Sequence, residues 1–159
     1  MTTTIEPLRT SITVHRSAAD AFELFTRGMG SWWPVDVHSL AVDEYEGRVR
    51  VESLRFEERV GGRIVERMSD GSEGTWGSVL IWEPPTRVVL AWKPNTNDQP
   101  PTELEVRFTP AGADTLVELE HRGWERLGEA ARDARGSYGE GWVGVLSRFA
   151  TAADREEAS

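Results

Sequence analysis

Chemistry in this 159-residue chain must come from three histidines, many carboxylates, hydroxyls and indoles, because it has no cysteine. Disulfides, thiol nucleophiles, iron–sulfur clusters and Cys-based zinc sites are thereby excluded. His38 lies in a polar loop with Asp36, Asp43 and Glu44 close by in sequence. That grouping raises two chemistries, a metal site or an acid–base pair. No ligand spacing such as H-x-x-x-H accompanies it, so no metal is expected. His121 follows Val117 and Leu119 in a strand-like alternation and should point inward with them. There it is either a satisfied structural residue or the polar group that orients a guest in a cavity. None of the serines sits in a G-x-S-x-G context, and no nucleophile–base pair is legible. No catalytic residue is assigned, and no cofactor is expected.

The run Gly139-Glu-Gly-Trp-Val-Gly144 is formally G-x-G-x-x-G. A dinucleotide site needs that motif directly after a strand, with an acidic residue about 20 positions later. Here it falls inside the last helical stretch with only fifteen residues remaining. The glycines are better read as easing the approach of a helix to a sheet. Tryptophan is the more telling residue, with seven against five Phe and two Tyr. Burying such a side chain stabilises by ~1.5–3 kcal/mol, so Trp32, Trp33, Trp76, Trp92, Trp124 and Trp142 can simply fill a core. The same rings can also wall a pocket for an aromatic guest.

The elements that must position these groups follow from periodicity. From Asp133 to about Ala153 the large apolar residues are Tyr138, Trp142, Val145, Leu146 and Phe149. Spacings of three, four and seven put them on one side of a long helix. Glycines 136, 139, 141 and 144 weaken its front half, each by ~1 kcal/mol relative to Ala. Upstream, Arg9 to His15 alternates as a first strand, and Ser17 with Asp20 forms a capping box for a short helix carrying Phe22 and Phe25 inward. Six strand-like runs follow, at about 48–58, 62–69, 73–82, 86–93, 102–109 and 114–122. The Gly-Gly, Asp-Gly and Pro-rich breaks between them make an antiparallel meander. Leu104, Val106 and Phe108 share one clean apolar face. Between Trp76 and Trp82 both faces are apolar, and no inward side can be chosen.

Strand, helix, six strands and a long helix predict an α+β fold, a curved antiparallel sheet of about seven strands around the C-terminal helix. The expected organisation is one domain over 9–154, with tails at 1–8 and 155–159. Composition narrows the function. With 27 acidic and 18 basic residues the net charge is -9, so a phosphate backbone would be repelled and nucleic acid is not an expected partner. No apolar run exceeds Val88 to Trp92, too short to span a membrane. No basic region followed by an apolar stretch opens the chain, so a cytoplasmic location is expected.

Arg59-Val-Gly-Gly-Arg63, Asp70-Gly71, Gly77-Ser-Val79, Glu83-Pro-Pro-Thr-Arg87, Trp92, His121-Arg-Gly123 and Gly141-Trp142 together resemble a known signature. It is that of the family named for the activator of the heat-shock-protein-90 ATPase, within the START/SRPBCC helix-grip superfamily. The resemblance covers roughly residues 10–153. It implies a helix-grip fold, and a family that includes co-chaperone domains, small-molecule binders and antibiotic self-resistance proteins. No shared catalytic residue comes with it. The expected function is therefore binding of a small hydrophobic or aromatic molecule between sheet and helix. The alternatives are a co-chaperone-like domain that binds a protein partner, and an enzyme acting on such a ligand. Candidate ligand contacts are Trp33, Trp76, Trp92, Phe108, His121, Tyr138 and Trp142. Trp33, Tyr138 and Trp142 come first, because the helix face and the segment after the first helix meet at a grip's opening.

Overall fold

Alternating sequence becomes a single seven-stranded antiparallel sheet in the computed structural model, which describes residues 5–46, 48–95 and 99–157. The strands are β1 (Leu8–Val14), β2 (Val51–Phe56), β3 (Arg63–Met68), β4 (Glu73–Glu83), β5 (Arg87–Trp92), β6 (Thr102–Ala111) and β7 (Asp114–Arg122). Their spatial order is β1-β7-β6-β5-β4-β3-β2, a meander from β2 to β7 with β1 added beside β7. The helices are α1 (Ala18–Phe25), a four-residue α2 (Leu40–Asp43) and α3 (Ala131–Glu157). Short 3-10 turns occupy Met29–Ser31 and Trp124–Ala130. Parts of the expected tails, residues 1–4 and 158–159, lie outside the described residues.

Ser17 caps α1 as the sequence predicts, accepting from the Asp20 amide at 3.1 Å. Phe22 and Phe25 from α1 meet Phe108 of β6 edge-on, with centroids 5.2 and 5.8 Å apart. Along α3, Trp142, Val145, Leu146, Phe149 and Ala153 are buried on the side that faces the sheet. The helix starts two residues earlier than the periodicity indicated and runs on to Glu157, past the expected domain end. On the outer face of the sheet, Glu105 is almost fully buried among Arg87, Arg107 and Arg122. Among the described residues no helix is long and apolar enough to cross a membrane.

Strand β4 explains why its inward side was illegible. Trp76 is an extra residue opposite Ile64 and Val65, and Leu80 is another opposite Val89 and Leu90. Each bulge shifts the alternation by one position. Trp76, Val79 and Trp82 therefore turn inward at intervals of three, and Trp82 reaches Phe22 and Phe56. The first bulge aims Trp76 at the front of α3.

The helix glycines do not serve close packing. A Cβ at Gly136 or Gly144 would meet nothing within 4 Å, and at Gly139 or Gly141 only ordinary contacts at 3.6 and 3.7 Å. The expectation that they ease helix–sheet approach is corrected accordingly. Gly144→Ala should raise stability by about 1 kcal/mol, measured by urea unfolding. A loss of stability would show that this part of α3 needs glycine.

Candidate functional site

Two polar anchors build the site, and each begins with a strand residue. The first is His121 at the end of β7, fully buried. The Trp142 indole N–H donates to its Nδ1 at 3.0 Å, so Nδ1 holds a lone pair and the ring proton sits on Nε2. That nitrogen lies 2.6 Å from the Thr102 hydroxyl, which donates to the Trp92 carbonyl at 3.3 Å. The chain of bonds ties α3 to β7, β6 and β5 in one direction only. Trp124 closes the rear, donating to the His121 carbonyl at 2.9 Å with its ring 4.1 Å from the imidazole. Burial pushes the His121 pKa down to about 3. A proton on Nδ1 would also face the Trp142 N–H, which opposes charging in the same sense.

The second anchor is Glu66 on β3, also fully buried. Its Oε1 accepts from the Leu40 amide at 2.7 Å and from the Trp76 indole at 2.8 Å, and its Oε2 from the Ala41 amide at 2.9 Å. Three N–H donors on one carboxylate offset much of the cost of removing it from water. They also pull α2 onto the sheet. Leu40 then occupies the space over Gly74, where a Cβ would come within 2.1 Å of its Cδ1. Ser39 caps α2 by accepting from the Val42 amide, and the Trp33 indole donates to the His38 carbonyl at 2.8 Å. The segment from Trp33 to Asp43 is thus fixed against the mouth of the grip.

Between that segment, the front of α3 and strands β4 and β5 lies a pocket of about 280 Å³. Trp33, Trp76, Trp92, Tyr138 and Trp142 wall it, with ring centroids between 5.1 and 6.1 Å apart where they meet. His38, Ser39, Asp43, Asn95 and Ser137 supply the polar part of the lining. Trp92 Nε1 and Asn95 Oδ1 are buried and have no hydrogen-bond partner among the described residues. The Tyr138 hydroxyl is pushed up to about 12, by burial first; the neighbouring Trp92 indole acts the other way, and Asp43 adds to the rise. That indole is close enough to influence the phenol but outside hydrogen-bonding geometry with it. Burial raises the Asp43 carboxyl above its ordinary range, and the charge on His38 works against that rise. His38 Cε1 lies 3.7 Å from where a Cβ on Gly141 would stand, so its ring rests against the helix.

Of the seven expected contacts, the structure brings five to the pocket: Trp33, Trp76, Trp92, Tyr138 and Trp142. It places the other two elsewhere. Phe108 packs under α1, because the inner face of β6 runs toward the opposite end of the grip. His121 stands behind Trp142 with both nitrogens engaged, so it shapes the wall and does not line it. Glu66 is a site residue that the sequence motifs do not single out. Its signal was its place between Ile64 and Met68, the apolar register of β3. Among the described residues no group of three or more His, Asp or Glu is arranged to hold a metal ion.

A curled sheet gripping one long helix, with an aromatic pocket at the helix's front, defines a helix-grip protein of the START/SRPBCC class. Within that class the chain belongs to the family described as activator of Hsp90 ATPase homolog 1-like protein, which matches residues 15–154. Among solved structures it is similar to Txn09, an anthrahydroquino-gamma-pyrone synthase complexed with SUM. Identity there is 34%, over 93% of this chain and 97% of that one, with a TM-score of 0.60. CalC, a self-sacrificing resistance protein from Micromonospora echinospora, is 25% identical over 94% and 95% of the two chains, with a TM-score of 0.63. The Aha1 dimer from Colwellia psychrerythraea shares the fold at 15% identity, covering 94% and 97% with a TM-score of 0.67. No curated protein matches the sequence.

Two measurements check the anchors. Glu66→Gln turns one acceptor into a donor that faces an N–H, and should cost about 1–3 kcal/mol. It should also speed amide exchange at Leu40 and Ala41; unchanged exchange would mean that α2 is held by other contacts. His121 is neutral in the folded protein down to about pH 3 but titrates near 6.5 when unfolded. Stability should therefore fall as pH drops through that window, by about 2 kcal/mol between pH 7 and pH 5. In Glu105 and Glu120 the effect of burial is outweighed by bonds from neighbouring arginines. Both lie below the usual carboxylate range and add their own loss only at more acid pH. His121→Asn should flatten the curve between pH 7 and pH 5, and equal slopes would contradict the assignment.

Proposed function

We propose that the protein binds a small, flat aromatic molecule bearing oxygen substituents in the pocket at the front of α3. The observation that carries this reading is the convergence of five aromatic rings around a space whose lining also includes His38, Ser39, Asp43, Asn95 and Ser137. A wall of rings favours a planar guest, and a polar part of the lining favours one that carries oxygen substituents. The volume of about 280 Å³ lies just under the range of ~300–1,000 Å³ common for ligand pockets, which favours a compact fused-ring compound over a long lipid. Similarity to a synthase that makes an aromatic pyrone supports the same class of guest and favours a second reading, in which the guest is also chemically changed.

A protein-partner role has less support. Among the described residues the exposed large apolar side chains are Val37, Val60, Leu80 and Val143, which come from four separate segments of the chain. The wide apolar surface of this molecule lies in the grip.

A thermal-shift and tryptophan-quenching titration with 9-fluorenone and 1-naphthol tests the proposal. Saturable quenching should accompany a rise in melting temperature, since a ligand bound only by the folded state stabilises it by ~2.7 kcal/mol at a hundredfold excess over Kd. Ser137→Trp, at an exposed position on the wall, should block the pocket and abolish both signals while leaving the melting temperature of the free protein nearly unchanged. A full response from this variant would place binding elsewhere, and no response from the native protein to any flat aromatic would end the reading.

A further inference from the structure

The charges around the pocket do not balance, and the imbalance says more about the guest than the rings alone. Asp43, the last residue of α2, is part of the lining, and no Arg or Lys is. Among the described residues its carboxylate has no hydrogen bond and no ion pair. Glu44 and Glu66 act on it as further negative charges, and only His38 works the other way. Glu66 is itself held by N–H donors alone. Lys93, the one lysine of the chain, reaches the Asn95 carbonyl at 3.4 Å and is not in the lining. The charge of Asp43 is also felt at the Tyr138 phenol, on the ring wall.

The rings complete the picture. Trp33, Trp76, Trp92 and Trp142 meet at interplanar angles between 48° and 83°, a box and not a stack. Rings tilted against one another in this way surround a space on several sides. That suits a cation, whose attraction to aromatic faces adds over all of them. A carboxylate at the edge of such a box supplies a charged acceptor for an ammonium N–H. The net charge of -9 draws cations toward the molecule as a whole.

We infer that the guest of this pocket carries a protonated amine, held by the aromatic box and selected by the Asp43 carboxylate. This rests on the binding reading above and narrows its guest to aromatic amines. Asp43 is then a specificity residue. It is exposed at the mouth, where it can meet the ammonium group while the flat part of the guest lies among the rings. A guest carrying a carboxylate in the same place would face Asp43 without any arginine or lysine of the lining to offset it.

The test compares 1-naphthylmethylamine, 1-naphthalenemethanol and 1-naphthoate by titration calorimetry. These share one ring system and differ in charge. The buffer is set at about pH 8, where imidazoles are neutral and the amine is still mostly protonated. The native protein should bind the amine about tenfold more tightly than the alcohol, and the carboxylate most weakly of the three. Asp43→Asn keeps the shape of the side chain and should bring amine and alcohol to within about twofold of each other. Ser137→Trp, which blocks the pocket, should abolish binding of the amine. Equal affinity of the native protein for amine and alcohol overturns the inference and leaves the binding reading standing. A tenfold preference that survives Asp43→Asn overturns the assignment of Asp43. Amine binding that survives Ser137→Trp places the cation on the acidic exterior and overturns the inference as well. If none of the three compounds binds and 9-fluorenone gives no thermal shift, the binding reading fails and the inference fails with it.

Discussion

The position of the long helix depends on a directed chain of hydrogen bonds that starts at Trp142 and ends at the Trp92 carbonyl. Apolar packing alone would let a helix with glycines along its front slide or rotate over a broad sheet. The chain permits one placement, because an indole can only donate and a carbonyl can only accept. Between them a neutral imidazole and a threonine hydroxyl must each do both. Reversing any member leaves two donors or two acceptors face to face in a dry interior, where unsatisfied groups are expensive. The interior therefore sets the helix by polarity as well as by shape.

Glu66 does for the loop what His121 does for the helix. A carboxylate taken out of water on a strand can persist only where several N–H groups reach it, and the two backbone amides at the start of α2 and the Trp76 indole do so. Trp76 is thereby locked from two directions, by the bulge that turns it inward and by the carboxylate that holds its nitrogen. Trp92 has the opposite fate. Its ring is packed among Trp33, Trp76 and Trp142, and its nitrogen is buried with no hydrogen-bond partner among the described residues.

Most of the fold was legible because alternation and turn chemistry act locally. The Gly61-Gly62 and Asp70-Gly71 breaks fall between strands, and Leu104, Val106 and Phe108 lie on the face their spacing indicated. Legibility stopped where tertiary structure overrode period. Two bulges turned the period of two in β4 into intervals of three, which no count of apolar residues separates from a strand with two dry faces. Helix α2 is only four residues long and is held by a carboxylate 25 residues away in sequence, too short to show a period of its own. The Trp-rich walls were readable from composition and helix spacing. The separation of His121 from the cavity was not, since inward direction on a strand does not say which neighbour lies in front.

The pocket has a floor and a rim of different descent. The rings of its floor sit on β4, β5 and the buried side of α3 or next to them, and also serve the core. His38, Asp43, Asn95 and Ser137 lie on the rim, in loops, at the end of α2 or on the open side of α3, where few core contacts depend on them. Evolution can thus rewrite the rim without endangering folding, while the floor stays under constraint for stability. Substitutions at the rim can change the polarity of the pocket mouth while the sheet and helix beneath keep their packing.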